Sequence, residues 1–362
     1  MNPSNTSGHS TFSTWQLTVL VIMAGMGGMY FYPNTFGRTS LALLALTVVL
    51  TLLSMAMLAY SFQNSGSLSF PNLLQEHFGS FLSRIIMAAA AVFFAAEVCC
   101  IAVKQTQMTG LFLLEKTPPQ IVLAVTLLTT CFIITSGIRQ IARTAELLFL
   151  AIVLPLAFII AMALYSMNAR ELLPLLKPND FSLSQLPLSV MSLSGIAAAP
   201  YFAGYYEKKK LSRSLLGGTA LLSACCMLIM ICCTGVFSIE GINHLSFPLT
   251  ELSRIVSVGN ISLNHRFDIL YIMIYTAVTV LTSGILLYCC GISLCGVFHI
   301  KSHSCFTFLL LPVVFFFSYL GLSDSTWLEF LSAWGKVLFL FVLVPILFII
   351  TAIKTLRGKR KV

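Results

Sequence analysis

Long apolar stretches recur along the whole chain and are separated by short polar segments. A helix that crosses a bilayer needs about 20 mainly apolar residues, and ten stretches meet this requirement. The pattern therefore predicts ten transmembrane helices, called spans one to ten below. Their approximate bounds are 15–36, 41–60, 82–113, 120–136, 138–167, 188–206, 215–237, 269–297, 306–320 and 334–353.

The composition indicates a bilayer as the solvent. Of the 362 residues, 58% are hydrophobic and 9% are charged, whereas roughly 25% are charged in an ordinary soluble domain. So few charges are too few to cover the surface of a soluble protein of this size. The connections are also too short to form a separate globular domain. Residues 1–362 are therefore predicted to form one all-α integral membrane domain.

The distribution of basic residues predicts the orientation. The net charge of +9 comes from Lys and Arg at short connections and near the C-terminus, which indicates membrane topology rather than binding of nucleic acid. With a cytoplasmic N-terminus, thirteen basic residues fall on the cytoplasmic side and six on the other. Both termini are therefore expected in the cytoplasm, which requires an even number of spans. The run Lys208–Lys210 is also able to attract anionic membrane lipid.

Patterns typical of enzymes and metal sites are not found in the sequence. The six histidines lie in connections or at span ends, and the glycine loop that binds phosphate is missing. The eleven cysteines lie nearly all in apolar runs and do not have the Cys-x-x-Cys spacing of a zinc site. We therefore expect no enzymatic activity, no cofactor and no metal, and we interpret the cysteines as packing residues.

Spans one and six are each interrupted by small residues and a proline. The breaking residues are Gly25, Gly27, Gly28 and Pro33 in span one, and Gly195 and Pro200 in span six. Irregular backbone at membrane depth is tolerated where it is buried in protein or lines a cavity. Two breaks five spans apart predict an inverted repeat of five plus five spans, whose unwound middles form one small-molecule site. Close helix packing is the alternative explanation.

The predicted repeats and the connections between the spans follow from the same pattern. The first repeat covers about 14–167, the second about 184–353, and a basic tail follows over 354–362. The connection between spans seven and eight contains FPLTELSRIV. This segment is amphipathic, so we expect it on the membrane surface.

Four ionisable residues within the spans are candidates for a coupling or a structural role: Glu97, Lys104, Arg143 and Glu146. Glu97 and Lys104 share a face of span three but are two turns apart, too far to touch. Lys104 is able to snorkel to the outer surface. Arg143 and Glu146 are three residues apart and are expected to pair. Lys336, at the start of span ten, is expected at the membrane interface.

Several motifs together resemble the B subunits of spore germinant receptors, the spore germination GerB family. The longest is Ser136-Gly-Ile-Arg-Gln-Ile-Ala-Arg-Thr-Ala-Glu146, at the start of span five. The others are Thr117-Pro118, Leu172-Leu-Pro-Leu-Leu176, the Lys-rich loop 208–210, Phe247-Pro248 with Glu251-Leu-Ser-Arg254, and Arg266-Phe-Asp268. Their order and spacing hold across nearly the whole chain.

The resemblance implies a fold, a location and partners. The family is similar to permeases of the amino acid–polyamine–organocation superfamily, and its members sit in the inner membrane of spores. They act with a larger A subunit and a lipoprotein C subunit, bind small nutrients such as amino acids, and trigger germination. By this resemblance the ligand contacts both broken spans. The expected contact residues are Gly25, Met26, Gly27, Gly28, Met29, Ser194, Gly195, Ile196 and Ala197.

Two other functions remain open at this point. The chain is alternatively an amino-acid permease that couples transport to protons through Glu97 or Glu146. A third interpretation is an assembly scaffold without its own ligand. The three differ in whether a small molecule binds and whether it crosses the membrane.

Overall fold

The computed structural model describes residues 13–29, 40–65, 69–168, 186–191, 193, 195–205, 208–242, 244–255, 267–298 and 303–359. The bounds of the α-helices are α1 Thr14–Met29, α2 Ser40–Asn64, α3 Phe70–Phe112, α4 Pro119–Thr135, α5 Ile138–Ser166, α6 Leu186–Met191, α7 Ala199–Phe202, α8 Lys208–Ile242, α9 Pro248–Ile255, α10 Phe267–Phe298, α11 His303–Gly321, α12 Thr326–Val337 and α13 Val344–Lys359. The 3-10 turns Ile196–Ala198 and Ala203–Tyr205 flank α7, and a π-helical segment, Leu338–Leu343, joins α12 to α13.

These helices form the ten spans. Six of the spans in the described part of the chain are long and apolar enough to cross a membrane as continuous helices: α2, α3, α5, α8, α10, and α12 with α13. Three spans, α1, α4 and α11, contain shorter apolar helices. Span six is divided between α6 and α7. The predicted all-α membrane fold is therefore confirmed.

Span three begins earlier than its hydropathy suggests. The predicted span begins at about residue 82, after a loop, but α3 starts at Phe70 and runs to Phe112. Gly79, with φ +77°, bends the chain within it. This backbone conformation favours glycine, because a side chain there would meet the backbone. A short helical segment therefore precedes the membrane-spanning part of α3.

This segment before Gly79 is attached to the last span. Lys354 Nζ donates a hydrogen bond to Glu76 O over 2.8 Å. Thr351 Oγ1 lies 3.0 Å from His77 Nε2. Because both pairs are 274 or more residues apart in sequence, they tie the beginning of α3 to α13 at one side of the bundle.

The centre of the bundle consists of α1, α3 and α10. α10 packs against α1 and α3, and α1 also packs against α8. Leu17, Met23 and Ala24 of α1 are fully buried, as expected for a helix surrounded by protein. α5 lies at the periphery, where Leu147 and Leu150 are exposed and suit contact with lipid. The interrupted spans therefore lie where a ligand would be shielded from lipid.

The length of α1 also indicates an incomplete crossing. Its 16 residues span about 24 Å at 1.5 Å per residue, less than the ~30 Å hydrocarbon core.

The amphipathic segment between spans seven and eight forms α9. Its apolar residues Leu249 and Leu252 are buried, and α9 packs against α5, α8 and α10. The Arg254 guanidinium lies 5.4 Å from the centroid of the Phe112 ring. The apolar face of α9 therefore covers the bundle instead of lying against lipid, contrary to expectation.

The end of the chain is more ordered than a separate tail. α13 continues to Lys359, so most of the predicted tail 354–362 is helical. The repeat boundaries and the cytoplasmic position of both termini stay predictions.

Candidate ligand-binding site

Span six is interrupted where the glycine and proline predict it. α6 ends at Met191, and a 3-10 turn begins at Ile196 after Gly195, which has φ +73° and ψ −9°. This left-handed conformation costs residues other than glycine about 1–2 kcal/mol. α7 then begins at Ala199, with Pro200 in its first turn, where the missing N–H of proline has no helical partner to lose.

The break in span six packs directly on span one. A methyl group at Gly195 would overlap the carbonyl oxygen of Ala24. Ile196 and Ala197 follow in the 3-10 turn that contacts α1, and both are buried. These three residues of the predicted site therefore lie against span one. Ser194, the fourth, lies outside the described residues.

The predicted residues of span one are helical and not unwound. The buried glycines and methionine of this stretch are Gly25, Met26, Gly27 and Gly28. The helix ends at Met29, whose side chain lies outside the described part, as do residues 30–39. The last two turns of α1 are therefore helical, and the expected unwinding does not occur before Met29.

Span eight supplies hydroxyl groups to these last turns. Thr282 Oγ1 donates to Met23 O over 2.8 Å and accepts a hydrogen bond from Gly27 N over 3.1 Å. The Tyr275 hydroxyl donates to Gly27 O over 2.8 Å. Met23 and Gly27 are four residues apart and are normal helical partners. The Thr282 hydroxyl is thus inserted beside a backbone hydrogen bond, an arrangement that bends helices.

A buried amide of span three completes this polar region. Gln105 Nε2 donates to Thr276 Oγ1 over 2.8 Å and to Thr109 Oγ1 over 3.1 Å. Thr279 Oγ1 donates to Gln105 Oε1 over 2.8 Å. Helical spacing places Tyr275, Thr279 and Thr282 on one face of α10. This face therefore forms hydrogen bonds to span one, through Tyr275 and Thr282, and to span three, through Thr279. We call the contact among the end of α1, the Gly195 turn, Gln105 and this face of α10 the central seam.

Spans three and eight contribute residues that are not among those predicted for the site. A buried glutamine inside a span is a polar group that needs partners, so Gln105 was a detectable signal. The Tyr-x-x-x-Thr-x-x-Thr spacing from 275 to 282 was another. Neither signal identifies its partners, because these lie in other spans.

An aromatic cluster lies beside the second half of span six. The Tyr201 hydroxyl is 2.7 Å from Ser293 Oγ, and the Tyr201 ring packs edge-on against Phe94 at 5.3 Å. Phe339 of the π-helical segment packs against Phe94 at 6.3 Å, and against Phe70 at 5.6 Å. These rings connect span six to spans three and ten.

Glu97 has a cationic partner that the sequence analysis did not identify. Glu97 Oε1 lies 2.8 Å from Lys336 Nζ, and the side chains are 0% and 1% exposed. Ser332 Oγ donates to the other carboxylate oxygen. The expectation that Lys336 is interfacial is wrong, because α12 packs on α3 and buries it.

Lys104 also pairs with α12 instead of snorkelling freely. Its Nζ lies 2.6 Å from Glu329 Oε1, and these side chains are 21% and 22% exposed.

Asp324 positions the start of α12: its Oδ1 accepts hydrogen bonds from Thr326 Oγ1 and Thr326 N over 2.7 and 3.0 Å. These bonds hold the pKa of this exposed carboxyl below its usual value.

The expected pair in span five does not form. Glu146 Oε2 accepts a hydrogen bond from Gln16 Nε2 over 3.4 Å, and the Arg143 side chain is exposed. Glu146 therefore links span five to the start of span one.

Within the described ranges, no group of three or more His, Cys, Asp or Glu is arranged to hold a metal ion.

The overall fold is that of a known transporter. The crystal structure of MhsT in complex with L-phenylalanine superposes with a TM-score of 0.66 at 15% sequence identity, covering 95% of this chain and 99% of MhsT. The chain therefore has the fold of inverted-repeat transporters, with a divided span six.

The sequence places the chain within a particular family of this class. Residues 11–326 match the family described as spore germination protein, the spore permease family. The chain therefore belongs to the spore germination protein family. Spore germination protein YndE of Bacillus subtilis (strain 168) is 23% identical over 286 residues, which are 78% of this chain and 78% of that protein.

Replacing Thr282 by valine tests the central seam. Valine keeps the shape but removes the hydroxyl that bonds Met23 O and Gly27 N, so we expect a loss of about 1–3 kcal/mol in unfolding free energy. Thr129→Val is the matched control, since Thr129 is exposed and bonds only within its own helix. We expect a change within about 0.5 kcal/mol for the control. Unfolding in detergent, followed by circular dichroism, measures both, and equal stability would contradict the assignment.

Proposed function

We propose that this chain is the B subunit of a nutrient germinant receptor, which binds a small molecule within the membrane and helps to trigger spore germination. The main support for this proposal is the central seam, where the interrupted span six meets α1 beside hydroxyl and amide groups. The membership of the spore germination protein family supports the biological role.

The chemistry of the seam favours an amino acid as the nutrient. The side chains described there carry hydroxyl and amide groups and no formal charge, as for Tyr275, Thr282 and Gln105. A ligand without net charge, such as a zwitterionic amino acid, suits these surroundings because no excess charge is buried. Its carboxylate and ammonium groups would meet backbone groups freed at helix ends.

The proposed partners are an A subunit and a lipoprotein C subunit, and the proposed location is the inner membrane of the spore with both termini in the cytoplasm. This part of the proposal rests on the resemblance of the ordered motifs to receptor B subunits. Co-purification of the chain with both subunits from spore membranes is the expected result.

Deleting the gene tests the receptor role. In a spore-former that lacks redundant receptors, the deletion is expected to abolish germination toward at least one nutrient, and the intact gene should restore it. Germination is followed by the loss of optical density after single amino acids are added. Unchanged germination toward every nutrient would sink the proposal.

A proton-coupled amino-acid permease is the second candidate, and the buried ion pair of Glu97 and Lys336 favours it, since ionisable groups inside membranes often take part in proton pathways. Proteoliposomes with labelled amino acids separate the two functions. Saturable binding without uptake supports the receptor, and concentrative uptake supports the permease. A scaffold without a ligand would show neither.

A further inference from the structure

The ion pair between spans three and ten lies deep in the bundle. After the bend at Gly79, α3 continues for 33 residues to Phe112. Glu97 lies about 26 Å along the helix from Ser80 and about 22 Å from Phe112, at 1.5 Å per residue. Both Glu97 and its partner Lys336 are essentially inaccessible. The pair is therefore far from water at either end of α3.

The surroundings of the pair are nearly all apolar or neutral. A methyl group at Gly335 would overlap the Phe93 ring, so α12 and α3 touch closely next to the pair. Apart from Lys336, α12 contributes the hydroxyl of Ser332. The described titratable groups that neighbouring helices turn toward this part of α3 include the Cys290 thiol of α10, which contacts Ala91 O, and the phenol of Tyr201, whose ring contacts Phe94. α3 itself carries the buried thiols of Cys99 and Cys100, and α6, with the sequence LPLSVM, has no titratable group.

A second pair on the same two helices has the opposite arrangement of charge. Lys104 follows Glu97 by seven residues on α3, and Glu329 precedes Lys336 by seven on the antiparallel α12. The outer pair is about one-fifth exposed, whereas the inner pair is essentially inaccessible. The two pairs therefore offer a direct comparison between a partly exposed and a buried ion pair.

Separating Glu97 from Lys336 while both are charged requires a large free energy. The desolvation free energy of two buried charges exceeds their mutual attraction unless the pair has favourable geometry and further hydrogen bonds. Burying a single unpaired charge is still more unfavourable. A neutral carboxylic acid and a neutral amine separate far more easily in apolar surroundings. Proton transfer between the two groups changes one state into the other.

We infer that Glu97 and Lys336 form a proton-transfer site that controls the attachment of span ten to span three. The N–H bond of Lys336 Nζ breaks, its electron pair stays on nitrogen, and an O–H bond forms on Glu97 Oε1 across their 2.8 Å contact. No external reactant is needed. In the neutral form α12 is free to leave α3. This inference stands whatever nutrient the protein binds.

Span ten is placed to pass a movement of span six to this pair. α12 packs against α6, the first half of the broken span. The π-helical segment begins two residues after Lys336, and such segments are frequent at functional sites. Phe339 in this segment contacts Phe94, which in turn contacts Tyr201 of α7. Both halves of span six therefore touch the helix that carries Lys336, directly or through one ring.

Infrared spectroscopy of the full chain in lipid nanodiscs at pH 8 tests the inference without a ligand. Exposed carboxyl groups titrate near pH ~4 and are ionised at pH 8. A carbonyl band of a protonated carboxylic acid at this pH therefore reports a buried acid. We expect such a band in the wild type, its complete loss in Glu97→Gln, and no change in Glu329→Gln, the matched control on the exposed pair.

A second variant decides the result if Glu97→Gln does not fold. Lys336→Met leaves Glu97 without its cation, so Glu97 is expected to take a proton and the acid band to grow. A wild type that lacks the band while Lys336→Met shows it would mean a fixed ion pair, and this would overturn the inference. Loss of the band in Glu329→Gln would do the same, because the proton would then belong to the exposed pair.

Discussion

Replacing Gly195 by alanine is expected to destabilise the protein severely and to abolish the proposed ligand binding. The new methyl group would overlap Ala24 O, which belongs to the backbone and has no free rotation by which to move away. Alanine at φ +73° adds about 1–2 kcal/mol of backbone strain, and overpacking adds about 1–3 kcal/mol or more. We expect a total loss on the order of 3–5 kcal/mol, measured as unfolding free energy in detergent.

Gly137→Ala separates the strain from the overlap. Gly137 has φ +82°, and a methyl group there meets no atom within 4 Å. This variant should lose only the backbone strain, about 1–3 kcal/mol for its φ +82° and ψ +161°, and should keep the proposed ligand binding. If both variants were equally stable, the close contact between spans one and six would be disproved.

Breaking the ion pair of Glu97 and Lys336 is the second change with a large expected effect. Glu97→Gln leaves the buried ammonium group of Lys336 without its carboxylate, and such losses cost about 3–5 kcal/mol. Neutralising both partners in Glu97→Gln with Lys336→Met leaves no unpaired charge. We expect the double variant to recover most of the loss, because apolar replacements of buried pairs are often neutral or stabilising by about 1–4 kcal/mol.

The exposed pair of the same two helices is the control for this double-mutant cycle. Lys104→Met and Glu329→Gln remove charges that are about one-fifth exposed, so each is expected to cost about 0–1 kcal/mol. Unfolding in detergent gives the coupling energy of each pair. A coupling energy at the buried pair no larger than at the exposed pair would show that burial does not strengthen the link between α3 and α12.

The fold could be predicted from the sequence because the bilayer imposes a simple rule. Apolar stretches of about 20 residues must form helices that satisfy their own backbone groups, so hydropathy alone locates most spans. The break in span six was readable for a local reason as well, since Gly195 and Pro200 act on their own backbone. α3 was misjudged because the segment before Gly79 is helical but too polar to register as a span.

The partners of the buried polar side chains could not be predicted from the sequence, since they depend on which spans become neighbours. Glu97 and Lys336 are 239 positions apart in the sequence, and Gln105 bonds to α10 more than 170 positions away. One signal was nevertheless present. Glu97 and Lys104 have the same spacing of seven as Glu329 and Lys336, with the acid before the lysine in both cases. This is the pattern expected of two antiparallel helices with matched charges.

The distance in sequence between Glu97 and Lys336 also has a consequence for synthesis. At about 5–20 residues per second, the ribosome needs about 12–48 s to reach Lys336 after Glu97. Span three therefore enters the bilayer before its cationic partner exists. During this interval Glu97 has to be protonated, shielded by the insertion machinery, or left in contact with water. A nascent chain that stops before span ten retains in the membrane an acid that lacks its Lys336 partner.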